Sequence, residues 1–336
     1  AGLVGIAVLI LMFLLRMPVA FAMALVGFVG FAFLTTPEAA LSLLANDIFA
    51  SFTSYPLSVI PMFILMGTFA FASGISRRLF QTTYAWIGHR RGGLTVATVF
   101  ACAGFGAICG SSTATAATMG KIALPEMKKY KYDDTLATGT VAAAGTLGIL
   151  IPPSTILIVY GYMTEQSIGK LFIAGIVPGI LLSILFAVTV AYLCWRDPEI
   201  GPPGVASSWR ERFKALTGII EALLLFILAI GGLFGGLFSP TQAGAIGAGG
   251  ALLIGLVRRQ LSWQSFIDAC KEALLTSCMV IFIITGAVIF GHFMAVSRIP
   301  FVLADWLGGL DIPPMAVMGV IVFIYFIGGF FMLSLI

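Results

Sequence analysis

Gly110, Ser111, Ser112 and Thr113 put four backbone carbonyls and three hydroxyls into one turn of chain. Gly145-Thr146-Leu147-Gly148 and Pro152-Pro153-Ser154 offer a second set about forty residues on. Neutral oxygens of this kind suit a hard monovalent cation such as sodium, and unwound helix junctions are where membrane transporters supply them. Pro152 and Pro153 lack amide hydrogens, so carbonyls one turn earlier, around Gly148 and Ile149, lose their helical donors. Half-helices starting after Ser112 and after Pro153 aim partially positive ends at the same region, which favours a carboxylate. A cation and an organic anion can therefore bind side by side. Taken singly, Gly-Ser-Ser-Thr reads equally well as a small-residue packing patch and Pro152-Pro153 as a kink; their combination favours binding.

The elements that position these residues must be membrane helices. Of the 336 residues, 60% are apolar and 10% charged, and the mean hydropathy is +1.09. Soluble domains carry about 25% charged residues, so an ordinary soluble fold is excluded and an all-α polytopic membrane protein is expected. Freed backbone groups cannot face lipid, so both breaks must be buried in protein or line a polar cavity. The net charge of +4 suggests no nucleic-acid partner, and the five cysteines lie mostly in apolar segments, where they read as small hydrophobes. The apolar start at Ala1 has no charged region before it, so it reads as a first span, trimmed, rather than a signal peptide.

Hydropathy predicts spans near 1–15, 17–35, 57–76, 173–195, 215–237, 241–257 and 274–296, with amphipathic interfacial helices at 36–56 and 258–273. Cytoplasmic loops hold an excess of Lys and Arg. One threading puts Arg77-Arg78, Arg90-Arg91, Lys128-Lys129, Lys131 and Arg258-Arg259 inside, leaving only Lys170 and Arg298 clearly outside. Residues 92–131 then begin and end in the cytoplasm. They are predicted to form a re-entrant helical hairpin with Gly110–Thr113 at its tip, followed by a broken helix over 133–165.

An internal repeat is present at an offset of 219: Gly67 maps to Gly286, Gly110 to Gly329, and the first arm of the hairpin to 311–327. Pro18-Val19-Ala20 and Pro240-Thr241-Gln242-Ala243 pair at a similar offset. The charge threading makes the two copies antiparallel, as in transporters built from inverted repeats. The expected organisation is scaffold and arm helix of repeat 1 at 1–56, a first transport half at 57–172, a connecting span with scaffold and arm of repeat 2 at 173–273, and an incomplete second transport half at 274–336. The partner of Gly145–Pro153 is expected near residue 364, beyond Ile336, so the working protein is expected to be longer.

Other polar residues carry less. His292 is expected in a hydrogen-bonded structural role, Glu221 to snorkel to the interface, Asp133-Asp134 to cap the next helix, and Glu126 to pair with Lys121 or Lys129. No residue pattern places a base against a nucleophile, so no enzyme is expected.

The stretches Gly104-Phe105-Gly106-Ala107-Ile108-Cys109-Gly110-Ser111-Ser112, Ala123-Leu124-Pro125-Glu126-Met127-Lys128-Lys129 and Gly145-Thr146-Leu147-Gly148-Ile149-Leu150-Ile151-Pro152-Pro153-Ser154 resemble the large membrane (M) subunit of tripartite ATP-independent periplasmic (TRAP) transporters. The resemblance implies an elevator-type, sodium-driven importer of organic anions, dicarboxylates, sialic acids or sugar acids, in the bacterial inner membrane. It also implies a small membrane (Q) subunit and a periplasmic substrate-binding protein as partners. By position, Gly110, Ser111, Ser112, Thr113, Gly145, Thr146, Gly148, Pro152 and Pro153 would form a sodium site. Thr113, Ser154, Thr155 and the second tip Gly329 would lie near substrate. The second tip departs from the family's Gly-x-Phe-x-Asp/Glu-Ser, because Gly329-Phe330-Phe331-Met332 is followed by Leu333-Ser334 without the acid. Alternatives are a sodium/carboxylate symporter that needs no binding protein, and, further off, a channel or membrane-embedded enzyme.

Overall fold

The computed structural model describes residues 1–309 and 313–331. All regular structure among the described residues is helical. Asp311 and Ile312 of the expected second arm, and Met332, Leu333 and Ser334 after its expected tip, lie outside the described residues. Among the described residues four helices are long and apolar enough to cross a membrane, Ile168–Arg196, Trp209–Phe234, Pro240–Val257 and Trp263–Val296, and the number reaches six if each of two bent pairs counts as one span. The chain divides into two compact units, Ser58–Thr276 and the pair of segments Ala1–Leu57 with Ser277–Ile336. The two cuts, after Leu57 and after Thr276, are 219 residues apart (276 minus 57). That is the offset relating Gly67 to Gly286 in sequence.

In the contiguous unit, Val59–Ala72 packs along Pro240–Val257. Glycines make the approach possible: a Cβ on Gly244 would stand 2.9 Å from that of Met62, and one on Gly247 would collide with Met66 Sδ. Small residues at such seams let apolar helices gain dispersion contact that lipid would otherwise provide. Gly74, in the left-handed region at φ 72°, turns the chain into the amphipathic helix Ile75–Ile87, and Gly92, at φ 68°, turns it again into the hairpin.

The hairpin consists of Gly93–Cys109 and Ser112–Lys129. Its base is tied down by Tyr132, whose hydroxyl accepts the Leu94 N–H at 3.2 Å. Asp133 caps the next helix as expected, its Oδ1 accepting the Leu136 N–H at 2.9 Å. That helix is broken: Asp134–Leu150 and Thr155–Met163 meet at a 41° bend. The 29-residue helix Ile168–Arg196 follows, running through Pro178. Gly175, Gly179, Ser183, Ala187 and Val190 are buried along one face, while Val177, Leu181, Ile184 and Val188 are about half exposed or more on another, as a helix between protein and lipid requires.

Two expectations for this unit are corrected. Residues 258–273 do not form a separate interfacial helix, because Trp263–Val296 is one 34-residue helix. No glycine or proline interrupts 263–285, and Ala269, Lys271, Glu272, Ala273 and Leu274 are strong helix formers, so nothing ends the helix between its polar and apolar parts. Glu221 does not snorkel to water. Its side chain is 12% exposed, contacts Arg78 Nη2 at 2.6 Å and is also paired with Arg258.

The other unit holds Gly2–Leu14, Val19–Leu34 and Pro37–Thr53, with the later part of Trp263–Val296 and the helices Ile299–Gly308 and Pro314–Phe331. Glycines again bring backbones together: a Cβ on Gly27 would lie 2.7 Å from Phe290 N, and one on Gly286 2.5 Å from Ala20 O. His292 Nε2 lies 3.4 Å from Asp47 Oδ1, consistent with the structural role expected of it. The expected break at Gly329 is absent. Pro314–Phe331 is helical through that position, Gly329 has ordinary helical backbone, and among the described residues a Cβ there would meet nothing within 4 Å.

Candidate functional site

The hairpin tip is a single glycine turn. Gly110 ends Gly93–Cys109 with φ 67°, and its N–H donates to Gly106 O at 3.0 Å. Ser111, extended at φ −138° and ψ 128°, is the cap of the second arm, and its Oγ accepts the Ala114 N–H at 3.4 Å. The helix therefore begins at Ser112, within the expected tip Gly110–Thr113. Local sequence explains the geometry: glycine tolerates the left-handed turn and serine is a preferred N-cap.

The break in the following helix repeats this grammar. Leu147–Leu150 ends with the Ile151 N–H donating to Leu147 O at 3.0 Å, and Ile151 is extended at φ −80° and ψ 124°. The residues after it, Pro152 and Pro153, cannot continue the ladder. The Pro152–Pro153 peptide is cis. Ser154 then caps Thr155–Met163, its Oγ accepting the Leu157 N–H at 3.4 Å. Two serine-capped helix starts thus follow two breaks.

Tip and break meet at two points. At the first, the Gly110 carbonyl accepts two hydrogen bonds from Thr155, one from its N–H at 3.2 Å and one from its hydroxyl at 3.0 Å. Ser154 and Thr155 are buried there, and a Cβ on Gly110 would stand 2.6 Å from Pro153 O. At the second, Gly148 lies against the start of the other arm, where a Cβ would come within 2.5 Å of Thr115 Oγ1 and 2.6 Å of Ser111 O. Gly106 and Gly145 complete the close approach. Their Cβ positions are 2.8 Å from Gly148 Cα and 2.6 Å from Ala116 Cβ.

The residues singled out in sequence divide accordingly. Gly110, Ser111, Gly145, Gly148, Pro153, Ser154 and Thr155 come together. Ser112 is the first residue of the second arm and Thr113, one residue on, is exposed with its hydroxyl 3.1 Å from Ser111 Oγ. Thr146 is also exposed, and its hydroxyl donates to Ala143 O at 2.6 Å. Pro152 faces another way, its Cδ 3.8 Å from the Cβ position of Gly175 on Ile168–Arg196. Gly329 belongs to the other unit and is exposed.

Thr115 was not singled out in sequence. Its side chain is fully buried at the second contact, Oγ1 makes no hydrogen bond of ordinary geometry, and the Cys109 thiol is its polar neighbour. An orphaned buried hydroxyl is costly, and here it stands beside the Ser111 carbonyl. The available signal was its spacing, four residues after Ser111 on one helix face. The oxygens gathered at this point are neutral, and among the described residues no cluster of three His, Cys, Asp or Glu could hold a metal. Such a donor set fits a weakly charged hard cation rather than a transition metal. The helix starts at Ser112 and Thr155 add positive partial charge.

The sequence model of the family described as "Tripartite ATP-independent periplasmic transporter, DctM component" matches residues 6–335. A C4-dicarboxylate TRAP transporter large permease protein, DctM, of Pseudomonas aeruginosa is 38% identical over 304 residues, covering 89% of this chain and 70% of that protein. An isethionate TRAP transporter permease protein, DctMQ, of Oleidesulfovibrio alaskensis is 38% identical over 313 residues, 91% of this chain and 49% of that protein. A sialic acid TRAP transporter large permease protein, SiaM, of Vibrio cholerae is 33% identical over 317 residues, 94% of this chain and 73% of that protein. The chain thus spans about 70% of the two large permeases and about half of the DctMQ protein.

Proposed function

This chain belongs to the DctM component family of tripartite ATP-independent periplasmic transporters, and from that premise we propose that it is the permease subunit of a sodium-driven importer of organic anions. The substrate class is a dicarboxylate, sialic acid or sugar acid, handed over by a periplasmic binding protein and carried with the help of a small membrane subunit. The observation that carries this reading is the junction of hairpin tip and broken helix. Gly110 and Thr155 hold the two breaks together, and neutral oxygens collect where Ser111, Thr115 and Gly148 meet.

In this reading Ser111, Thr115, Gly145 and Gly148 surround the coupling sodium, which supplies the positive charge that an entering carboxylate meets, and Thr146, exposed and bonded to Ala143 O, stands outside it. Ser112 and the Gly110 backbone shape the same turn. Thr113, Ser154 and Thr155 belong to the substrate side, where the starts of Ser112–Lys129 and Thr155–Met163 favour negative charge. Pro152 and Pro153 keep the carbonyls of Gly148 and Ile149 out of the helical ladder. Because tip and break are bonded to each other, they move as one block against the scaffold helices, which is an elevator. The relatives named for C4-dicarboxylates and sialic acid support the substrate class. The orientation, with residues 92 and 131 on the cytoplasmic side, is supported by the distribution of basic residues, and the inner membrane by the family resemblance.

Uptake of a labelled organic acid into proteoliposomes, with the cognate binding protein and small subunit, tests the coupling. Replacing external sodium by potassium is expected to reduce uptake to background; undiminished uptake would sink the sodium assignment. Ser111→Trp is expected to abolish uptake while leaving the protein in the membrane.

A further inference from the structure

Away from the junction, a groove of about 520 Å³ lies between the amphipathic helix Ile75–Ile87 and the second hairpin arm. Three cations line it, Arg77, Lys121 and Lys129, against one carboxylate, Glu126. Lys129 is partly committed, with Nζ 3.9 Å from Glu126 and 5.7 Å from the centre of the Tyr130 ring. Arg77 and Lys121 have no carboxylate partner among the described residues. The nearby acid cannot serve them either, because Glu221 is shared by Arg78 and Arg258.

Lys121 is the unusual member. It stands eight residues inside the arm from Lys129, about 12 Å along the helix. A lysine that far into a membrane-embedded element is costly unless an anion or water meets its ammonium. Ile122 and Pro125 run beside the cations, over the buried Phe80, and give the groove an apolar strip as well as a charged one. A free ion would use only the charges; an amphiphile uses both. Basic residues on the cytoplasmic side also face the anionic leaflet, which draws such headgroups to them.

We propose that this groove holds an anionic phospholipid, its phosphate between Arg77 and Lys121 and its chain along Ile122 and Pro125. The site is separate from the transport junction and independent of substrate and coupling ion. It rests on the cytoplasmic placement of this end of the hairpin, but its test reads bound lipid rather than uptake.

The full chain, purified in mild detergent, is doped with phosphatidylglycerol, phosphatidylcholine or inorganic phosphate, and retained ligand is counted by native mass spectrometry. Retention of phosphatidylglycerol over phosphatidylcholine is expected, with about tenfold weaker retention in the Arg77→Gln/Lys121→Gln variant. Arg90→Gln/Arg91→Gln, a basic pair outside the groove, is expected to match the unaltered chain. Equal retention of both lipids, unchanged retention in the groove variant, or inorganic phosphate displacing the lipid at millimolar concentration would each overturn the proposal. Should the double variant fail to fold, Lys121→Gln alone carries the same comparison.

Discussion

Single residues at the junction have separable effects. Gly148→Ala puts a methyl group where Thr115 Oγ1 and Ser111 O already stand at 2.5 and 2.6 Å, so the two elements must part. A loss of about 1–3 kcal/mol is expected from such overpacking, read as a lower unfolding temperature in detergent together with lost uptake. Thr115→Val is the informative contrast. It keeps the shape and removes a hydroxyl that has no ordinary hydrogen bond, so stability is expected to hold or rise while the apparent sodium affinity falls. An unchanged sodium dependence would remove Thr115 from the site. Ser111, Gly148 and Pro153 were legible in sequence because glycine, proline and capping serine act on their own backbone. The burial of Thr115 against Gly148 and the two hydrogen bonds from Thr155 to the Gly110 carbonyl were not, since each depends on a partner that only folding brings near.

Titration at the base of the hairpin can be stated with its sign. Burial pushes Tyr84 up to about 12, helped by the hydrogen bond to Tyr130 and by that neighbour's charge, and burial pushes Tyr132 to about 12 as well. Both are neutral below pH 10 whether the chain is folded or not, so their contribution is fully present there. From about 10 to 12 the unfolded chain ionises and the folded one does not, and stability falls across that window. Tyr130→Phe is expected to lower the Tyr84 midpoint, measured by the ultraviolet absorbance of tyrosinate.

At the scale of elements, the hairpin and the broken helix were readable because their ends carry strong local signals: Gly92, Gly110, the Ser111 cap, the Asp133 cap and the two prolines. The fusion of 258–273 with the following span was not readable from polarity, since a change from polar to apolar does not end a helix when every residue favours one. The ion cluster also escaped notice, because Arg78, Glu221 and Arg258 are far apart in sequence. It joins Ile75–Ile87, Thr217–Phe226 and the residue after Pro240–Val257, with Gln260 accepting from Arg78 at 2.6 Å. Glu221→Ala leaves two arginines without their carboxylate, and Arg78 is only 18% exposed. Thermal unfolding is expected to show a loss on the order of 3 kcal/mol. Arg258→Gln is expected to cost less, as that side chain is 49% exposed and Arg78 remains paired.

For the whole molecule, the repeat found at an offset of 219 and the spacing of the cuts between compact units agree numerically, although one comes from residue types and the other from contacts. What sequence could not supply is which segments assemble: the first 57 residues form one compact unit with those after 276, and residues 58–276 form another. A property of the whole assembly follows from the proposed function. Uptake is expected to fall to background when either the binding protein or the small subunit is omitted from the proteoliposomes. Transport by this subunit alone would favour a symporter that works without them.

The split unit also has a consequence for biosynthesis. Gly27 touches backbone at Phe290 that is made 263 residues later (290 minus 27). At about 5–20 residues per second, a ribosome needs roughly 13 to 50 s to cover that interval. During it, Gly2–Leu14 and Val19–Leu34 have each other but not the segment after Thr276 that completes their unit, while the contiguous unit from Ser58 to Thr276 can be completed first. Gly2–Leu14 and Val19–Leu34 therefore complete their unit only after the whole of the contiguous one has been made.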